Sequence, residues 1–558
     1  MKQTPLTIKD EIGAQSPDSH ALATASLENL YRIFTVPEAP NSTLGAIDKE
    51  ISDNLMGFLG DRIVAQERAL TTIEKDFSDA KIPEVPQFVS DYTEFVLDKL
   101  VAHSVHTSAP GFIGHMATPL PYFMLPLSRI MVALNQNLVK IETSKAFTPL
   151  ERQVLGMIHG MVYEREASFY DENLHNSRRA LGTFCSGGTV ANISALWVAR
   201  NQFFKPTASF AGIAKEGFAR ALKHSGYDDV VIVVSERGHY SLGKAADVLG
   251  IGRSNIIAIP TDENHKVDAQ AMRVKCLELK ENNIGIMAIV GIAGATETGQ
   301  VDPLDKLAAI AQDVNAHFHV DAAWGGPTLL SNTHKHVMKG IELADSVTID
   351  AHKQLYVPMG AGMVVFKDPA AISSVEHHAE YILRAGSKDL GQYSIEGSRP
   401  GMAMLVHAAF NIIGRKGYEI LIDQNVAKAQ TFARMIDEQA EFELITDPEL
   451  NILNYRYVPA AIQIQLQAVS HNKQKTINEI LDRANTQMQK LQRAAGKTFV
   501  SRTRFSQHKY GGEAVSVFRV VMANPMTTLE TLKTILDEQL LLAERPGIVE
   551  ILAELNTL

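Results

Sequence analysis

Three segments of the chain hold residue types whose spacing could do chemistry. In Gly182–Asn192 (GTFCSGGTVAN), Ser186, Gly187, Gly188 and Thr189 stand where a loop becomes the helix read over Ile193–Arg200. A helix N-terminus offers free N–H donors and a positive dipole end, and glycines let a phosphate come close to the backbone. The pattern is neither a Walker loop nor a GxGxxG fingerprint, and a Ser-Gly-Gly-Thr turn is also an ordinary helix cap. In His317–Pro327 (HFHVDAAWGGP), Asp321 ends a very apolar strand. Ligands of open α/β sheets bind at the carboxyl ends of strands, so an acid there suits a buried cationic partner. The bland alternative is a helix cap or a structural ion pair. In Ser346–Gly360 (SVTIDAHKQLYVPMG), Lys353 follows His352 just past another strand. A buried lysine amine loses its proton readily and can attack a carbonyl; a salt bridge to the nearby Asp is the alternative. The spacing, 353 − 321 = 32 residues, leaves room for a crossover to a neighbouring strand.

One ligand needs all three: a phosphate cradle, an acid for a ring nitrogen and a lysine for an aldehyde describe pyridoxal phosphate. The ordered set GTFCSGGTVAN, SERGHYSLGKAADVLG, VDPL, HVDAAWGG and DAHKQ resembles the group II pyridoxal-phosphate-dependent amino-acid decarboxylases, from about residue 105 to the end of the chain. That resemblance implies roles for single residues. Lys353 would hold the cofactor aldehyde covalently, with His352 beside it. Asp321 would keep the pyridine nitrogen protonated, so that the ring can take up the electrons left on carbon. His239 would stack on one ring face and Ala323 on the other. Ser186, Gly187, Gly188 and Thr189 would hold the phosphate, supported by Asn192. Thr296, in GATETG, matches the family threonine beside the cofactor. The turn EGSRP matches a family Gly-Arg turn near the phosphate, with Ser398 in place of the glycine before Arg399.

The substrate end follows from the same resemblance. Val517–Pro525 (VFRVVMANP) is similar to the glutamate decarboxylase segment whose arginine receives the substrate carboxylate, which points to Arg519. A guanidinium fork suits that task. Phe112–Thr118 (FIGHMAT) is similar to the loop that reaches the substrate side chain, so His115 and Thr118 join Arg519. Glutamate decarboxylases carry Gln where this chain has His115, which shifts the expectation to a shorter acid. The family returns a proton to Cα from a mobile-loop tyrosine; Tyr381 and Tyr393 both stand in the polar loop 377–400. The segment Ile452–Pro459 (ILNYRYVP) and the long N-terminal arm resemble the bacterial aspartate 1-decarboxylase branch, which supplies β-alanine for pantothenate and coenzyme A. The implied reaction is L-aspartate to β-alanine with release of CO2. The alternatives are L-glutamate to γ-aminobutyrate, or another class of the same cofactor's chemistry such as an aminotransferase. The family also implies a homodimer with the site at the interface.

Other patterns do not carry chemistry. Ser241–Lys244 (SLGK) matches S-x-x-K without a companion K-T-G. The pairs His334/His336 and His377/His378 lack supporting acids or cysteines at ligand spacing, so no metal is expected. Cys185 reads as a packing residue.

The elements that must position these residues are legible in outline. The chain has 558 residues, 45% hydrophobic and 21% charged, which excludes wholesale disorder. A net charge of 53 − 63 = −10 without a basic run makes nucleic acid or an anionic membrane a poor partner. Two cysteines exclude a disulfide framework. Neither a signal-peptide pattern nor an apolar run of about 18 residues is present, which fits a cytoplasmic protein. From about residue 180, β-branched runs alternate with helical patterns: Val230–Ser235, Ile256–Pro260, Ile286–Gly294, His317–Ala322, Ser346–Asp350 and Gly362–Lys367. Such alternation predicts an α/β fold with a mostly parallel sheet. Further strands are expected at Leu453–Tyr457, Ile462–Leu466 and Val515–Met522. Helices are expected around Leu27–Phe34 and over 46–75, 401–438, Lys473–Ala495 and Thr528–Ala543. The expected organisation is an N-terminal arm and helical segment (1–104), a large cofactor domain (105–400) and a small α+β domain (401–558). With the resemblance, the fold is that of the pyridoxal-phosphate transferases of fold type I, the aspartate aminotransferase-like class.

Overall fold

The computed structural model describes residues 41–53, 63–64, 67–378 and 386–557. The helix expected around Leu27–Phe34 lies outside these residues, as does the middle of the 46–75 segment, whose described parts form helices Thr43–Asp53 and Leu70–Asp76. The chain divides into two compact units. The first comprises 1–109 and 493–498, and the second comprises 110–492 and 499–558.

In the second unit, β1 (Gly182–Cys185), β2 (Asp229–Ser235), β3 (Ile256–Ile259), β4 (Ile284–Ile292), β5 (His317–Asp321), β6 (Ser346–Asp350) and β7 (Gly362–Phe366) form one sheet. Their order is β1-β7-β6-β5-β4-β2-β3. The contacts among β2, β3, β4, β5 and β6 are parallel. β7 runs against both β6 and β1, so β1 again points the same way as β6. Six carboxyl ends therefore open on one side. Strands buried on both faces lose the polar alternation of half-exposed ones, and β4 (IGIMAIVGI) is buried at all positions after its first. The six strands expected from the sequence are present within two residues at each end; β1, only four residues long, was not expected.

A second sheet has the order β10-β11-β9-β8 and is antiparallel throughout. Its strands are β8 (Phe442–Thr446), β9 (Ile452–Tyr457), β10 (Ser501–Ser506) and β11 (Ala514–Val521). One expectation fails here. Ile462–Leu466 alternates apolar and Gln residues like a strand, yet it lies in the helix Ala460–Ala468. Ala, Gln and Leu are good helix formers. The Gln463 amide also reaches the carbonyls of Ala440, Phe442 and Val458, so the segment meets the start of β8 through one side chain and not through backbone pairing.

The helical stretch expected over 401–438 is two helices, Ala403–Ile412 and Gly414–Asp437. They part at Gly414, whose φ of +69° is a left-handed conformation that glycine adopts without a Cβ clash. The first of them buries Ala403, Leu405, Val406 and Ala409 in the core of the large sheet. The boundary expected at 400/401 thus falls inside one compact unit: a helix after it completes the core before it.

Candidate active site

A cavity of about 430 Å³ opens at the strand ends of the large sheet. Its walls bring together Ser186, Gly187, Gly188, Thr189, Asn192, His239, Thr296, Asp321, Ala323, His352 and Lys353, up to 353 − 186 = 167 residues apart in sequence but adjacent in space because β1, β2, β4, β5 and β6 all end here. Gly187 caps the helix Gly188–Phe203 at its N-terminus. A Cβ on Gly188 would lie 2.7 Å from Asp350 Oδ2, and one on Gly362 would lie 2.5 Å from the Gly187 carbonyl carbon. Larger residues at these places would push the loop out of the cavity. The residue expected beside Lys353 is also placed: Lys353 Nζ is 3.2 Å from Asp350 Oδ2, and His352 Nε2 is 3.5 Å from the same oxygen. Asp350 is buried, and its Oδ1 has no hydrogen-bond partner.

Asp321, the last residue of β5, accepts hydrogen bonds from Asn192 Nδ2 (2.8 Å) and from the Ala323 backbone N–H (3.2 Å). Asn192 was expected to support the phosphate loop; its side chain instead contacts Asp321, Ser241 and His319. His239 Nδ1 is 2.8 Å from Ser241 Oγ, and burial lowers the imidazole pKa, with Lys353 adding to the effect and Asp321 opposing it. Burial likewise lowers the pKa of His352, against the pull of Asp350. Two residues before Thr296, Gly294 has a left-handed φ of +94°, and a Cβ there would lie 3.0 Å from the Gly325 nitrogen, which favours glycine. Asp302, from VDPL, holds this region by accepting from the N–H groups of Val267 and Ile292; burial raises its pKa to about 6.

Arg519, on β11, comes to the rim. Its guanidinium donates to Ser501 Oγ (3.1 Å), Thr296 O (2.9 Å) and Gly114 O (3.1 Å), all neutral acceptors. Burial lowers its pKa and Glu297 opposes the shift. The Thr118 hydroxyl donates to the Lys353 carbonyl at 3.0 Å, tying the 112–118 loop to the lysine. His115 is exposed on this chain. Its pKa is nonetheless lowered, first by desolvation, then by Arg519 and Lys353.

Two expected residues are not assembled with these. Tyr393 is 1% exposed in the core, its hydroxyl has no hydrogen-bond partner among the described residues, and burial pushes its pKa up to about 12. Such a phenol is poorly suited to deliver a proton to a cavity it does not line. Ser398 is exposed and accepts from Asn137 Nδ2 at 2.9 Å. Its neighbour Arg399 forms a bidentate pair with buried Glu151, both contacts at 2.5 Å. Tyr381 lies outside the described residues. Sequence reasoning gave no role to Arg237, which lines the cavity, packs over the Phe505 ring and pairs with Glu297. Its place two residues before His239 in SERGHYS was the available signal.

The donor set fits pyridoxal phosphate on the structure's own terms. A glycine-walled helix N-terminus suits a phosphate, a lysine suits an aldehyde, and a buried carboxylate already supplied with N–H donors suits a protonated ring nitrogen. Comparisons with known proteins agree. Residues 15–458 match the family model described as the pyridoxal-dependent decarboxylase conserved domain. The chain is 59% identical over 517 residues to a protein named aspartate 1-decarboxylase from Aliivibrio fischeri, covering 93% of this chain and 94% of that one. It is 26% identical over 451 residues to the acidic amino acid decarboxylase GADL1 of Bos taurus, covering 79% and 78%. Among solved structures, mouse CSAD superposes with a TM-score of 0.77 at 21% identity, covering 89% of this chain and 97% of that one. Oryza sativa TDC, solved with PLP and tryptamine, gives 0.74 at 18% identity over 91% and 99%. The last two establish the fold. The match over 15–458 and the 59% relative establish the family: this chain is a pyridoxal-phosphate-dependent decarboxylase of the group II amino-acid decarboxylases.

Proposed function

We propose that the chain decarboxylates L-aspartate at Cα to give β-alanine and CO2. The observation that carries the substrate is the 59% identity over nearly the whole length of a protein named aspartate 1-decarboxylase. The rim agrees with an acidic substrate: a guanidinium held by neutral oxygens keeps its positive charge for an incoming carboxylate.

When bound, pyridoxal phosphate supplies an aldehyde for the substrate amine and a protonated ring that accepts the electron pair left behind by CO2. The residues of this chain would divide the remaining work. Ser186, Gly187, Gly188 and Thr189 would hold the phosphate and Lys353 the aldehyde. Asp321 would hold the ring nitrogen, with His239 and Ala323 against the ring and Thr296 and His352 at its edge. Arg519 would take one substrate carboxylate. His115, its pKa lowered first by desolvation, would face the other, helped by Thr118. Tyr381 remains our proposed donor of the proton to Cα, since Tyr393 is enclosed in the core. Ser398 would serve a phosphate only from a partner subunit, which accords with a homodimer, the assembly we propose. No described helix is long and apolar enough to cross a membrane, and we propose a cytoplasmic location. We also propose that 401–558 acts as the substrate-side part of the enzyme.

The test is incubation of the cofactor-loaded protein with L-aspartate while CO2, β-alanine and oxaloacetate are measured. Equal yields of CO2 and β-alanine are expected; oxaloacetate without CO2 would mean transamination and overturn the reading.

A further inference from the structure

Behind Asp321 lies a buried chain of polar groups that the mechanism above does not use. His317 Nε2 is 2.7 Å from Ser346 Oγ, and Ser346 Oγ is 2.9 Å from His319 Nδ1. His319 Nε2 is 3.1 Å from Asn192 Oδ1, and Asn192 Nδ2 reaches both Asp321 Oδ2 and Ser241 Oγ. His319, Ser346 and Asn192 are each no more than 1% exposed. His319 and Asp321 are two apart on one strand, so both side chains point to the same face.

Proton counting leaves one arrangement consistent with an ionised Asp321. A carboxylate has no hydrogen to offer, so the Asn192 atom 2.8 Å from it must be the NH2 group. The amide oxygen then faces His319, whose Nε2 must carry the hydrogen. Burial lowers the His319 pKa to about 4, so the ring is neutral and its Nδ1 is bare. Nδ1 lies 3.2 Å from the Ser346 carbonyl oxygen and, closer, 2.9 Å from the Ser346 hydroxyl, from which it accepts; that hydroxyl in turn accepts from His317 Nε2–H. On the other branch Ser241 Oγ accepts from Asn192, and His239 Nδ1 receives both the Ser241 hydroxyl and the Ser241 backbone N–H (3.3 Å). The opposite tautomer of His319 would turn the Asn192 amide over and set its oxygen against the carboxylate.

We propose that His319 is a positioning residue: through Asn192 it fixes Asp321 as the ionised acceptor of the cofactor's ring nitrogen, and through Ser241 it sets the tautomer of His239. Ser346 selects the required tautomer of His319. This rests on the role given to Asp321 above.

The test compares pyridoxal phosphate with its 1-deaza analogue, in which C–H replaces the ring nitrogen. Binding of each to the full chain stripped of cofactor is measured by equilibrium titration of absorbance. Wild type should prefer pyridoxal phosphate; equal affinities would overturn the Asp321 reading and the proposal with it. In His319→Leu the preference should fall roughly tenfold, the worth of one hydrogen bond to a charged group. His319→Gln, which keeps an N–H at the place of Nε2, should restore most of it. A leucine variant that weakens both ligands equally, or leaves the ratio unchanged, would show His319 to be packing alone and overturn the proposal. Should that variant not fold, Ser346→Ala serves: the ratio should fall severalfold, and an unmoved ratio would overturn the proposal equally.

Discussion

On the side of the cavity proposed to hold the cofactor, Ser186–Thr189, Asp321, Asp350 and Lys353 all lie at or just past the carboxyl ends of strands in one mostly parallel sheet. On the side proposed to face substrate, Arg519 is held by Ser501, Thr296 and Gly114, the last of them 405 residues away in sequence. The first wall is rigid because each of its residues follows directly from a buried strand. The second is assembled from a loop, a sheet edge and a strand of the other sheet, with His115 exposed on it. In the proposed reading, strand ends determine which cofactor chemistry is possible, and the distant segments determine which amino acid receives it.

Substitutions on the two walls should accordingly fail in different ways. The largest effect is expected for Lys353→Ala, with turnover lowered by about a thousandfold or more, because the covalent anchor is removed. Borohydride reduction of the wild-type holoenzyme followed by peptide mapping should label the Lys353 peptide; label on another lysine would displace the assignment. Asp321→Ala should retain some cofactor while kcat falls by about 10²–10³, the usual scale for losing a preorganised charge. Arg519→Lys should act mainly through KM, lowering kcat/KM by about a hundredfold, since the ammonium cannot replace the fork or its three neutral contacts. If Arg519→Lys lowered kcat and left KM alone, the division between the walls would be wrong. His115→Gln should shift the aspartate-to-glutamate ratio toward glutamate by about tenfold, the worth of one methylene.

Histidines buried away from the cavity should also make stability depend on pH. Folding holds His159, His265 and His319 at pKa values of about 4, well below the ordinary 6.5. Between those values the unfolded chain binds protons that the folded chain does not, so their contribution to stability is full above pH 6.5 and is lost as pH falls toward 4. Each is worth on the order of 2–3 kcal/mol. Asp302, raised to about 6, works in the opposite sense and offsets one of them. Thermal unfolding should therefore move to lower temperature from pH 7 to pH 5, and His159→Phe should flatten that slope.

The same contrast explains what could be read from the chain beforehand. Continuous apolar runs such as β4 and the motif residues that follow them are local signals, and Asp321, Lys353, His239 and Thr296 all line one cavity. Where the deciding contacts are distant, the reading failed. Ile462–Leu466 has the period of a strand, but three carbonyls reached by Gln463 hold it as a helix. Asn192 was joined to the phosphate loop by proximity in sequence, whereas His319 and Asp321, more than a hundred residues on, determine where its amide points. Tyr393 looked like an exposed loop residue, and only the packing around it shows a buried phenol.

The central claim is that this site decarboxylates aspartate, and the most direct measurement is kcat/KM for L-aspartate and L-glutamate on one preparation of holoenzyme, with β-alanine and γ-aminobutyrate quantified as products. The account expects a clear preference for aspartate and β-alanine as the main product. A preference for glutamate would contradict the substrate assignment while leaving the decarboxylase family intact.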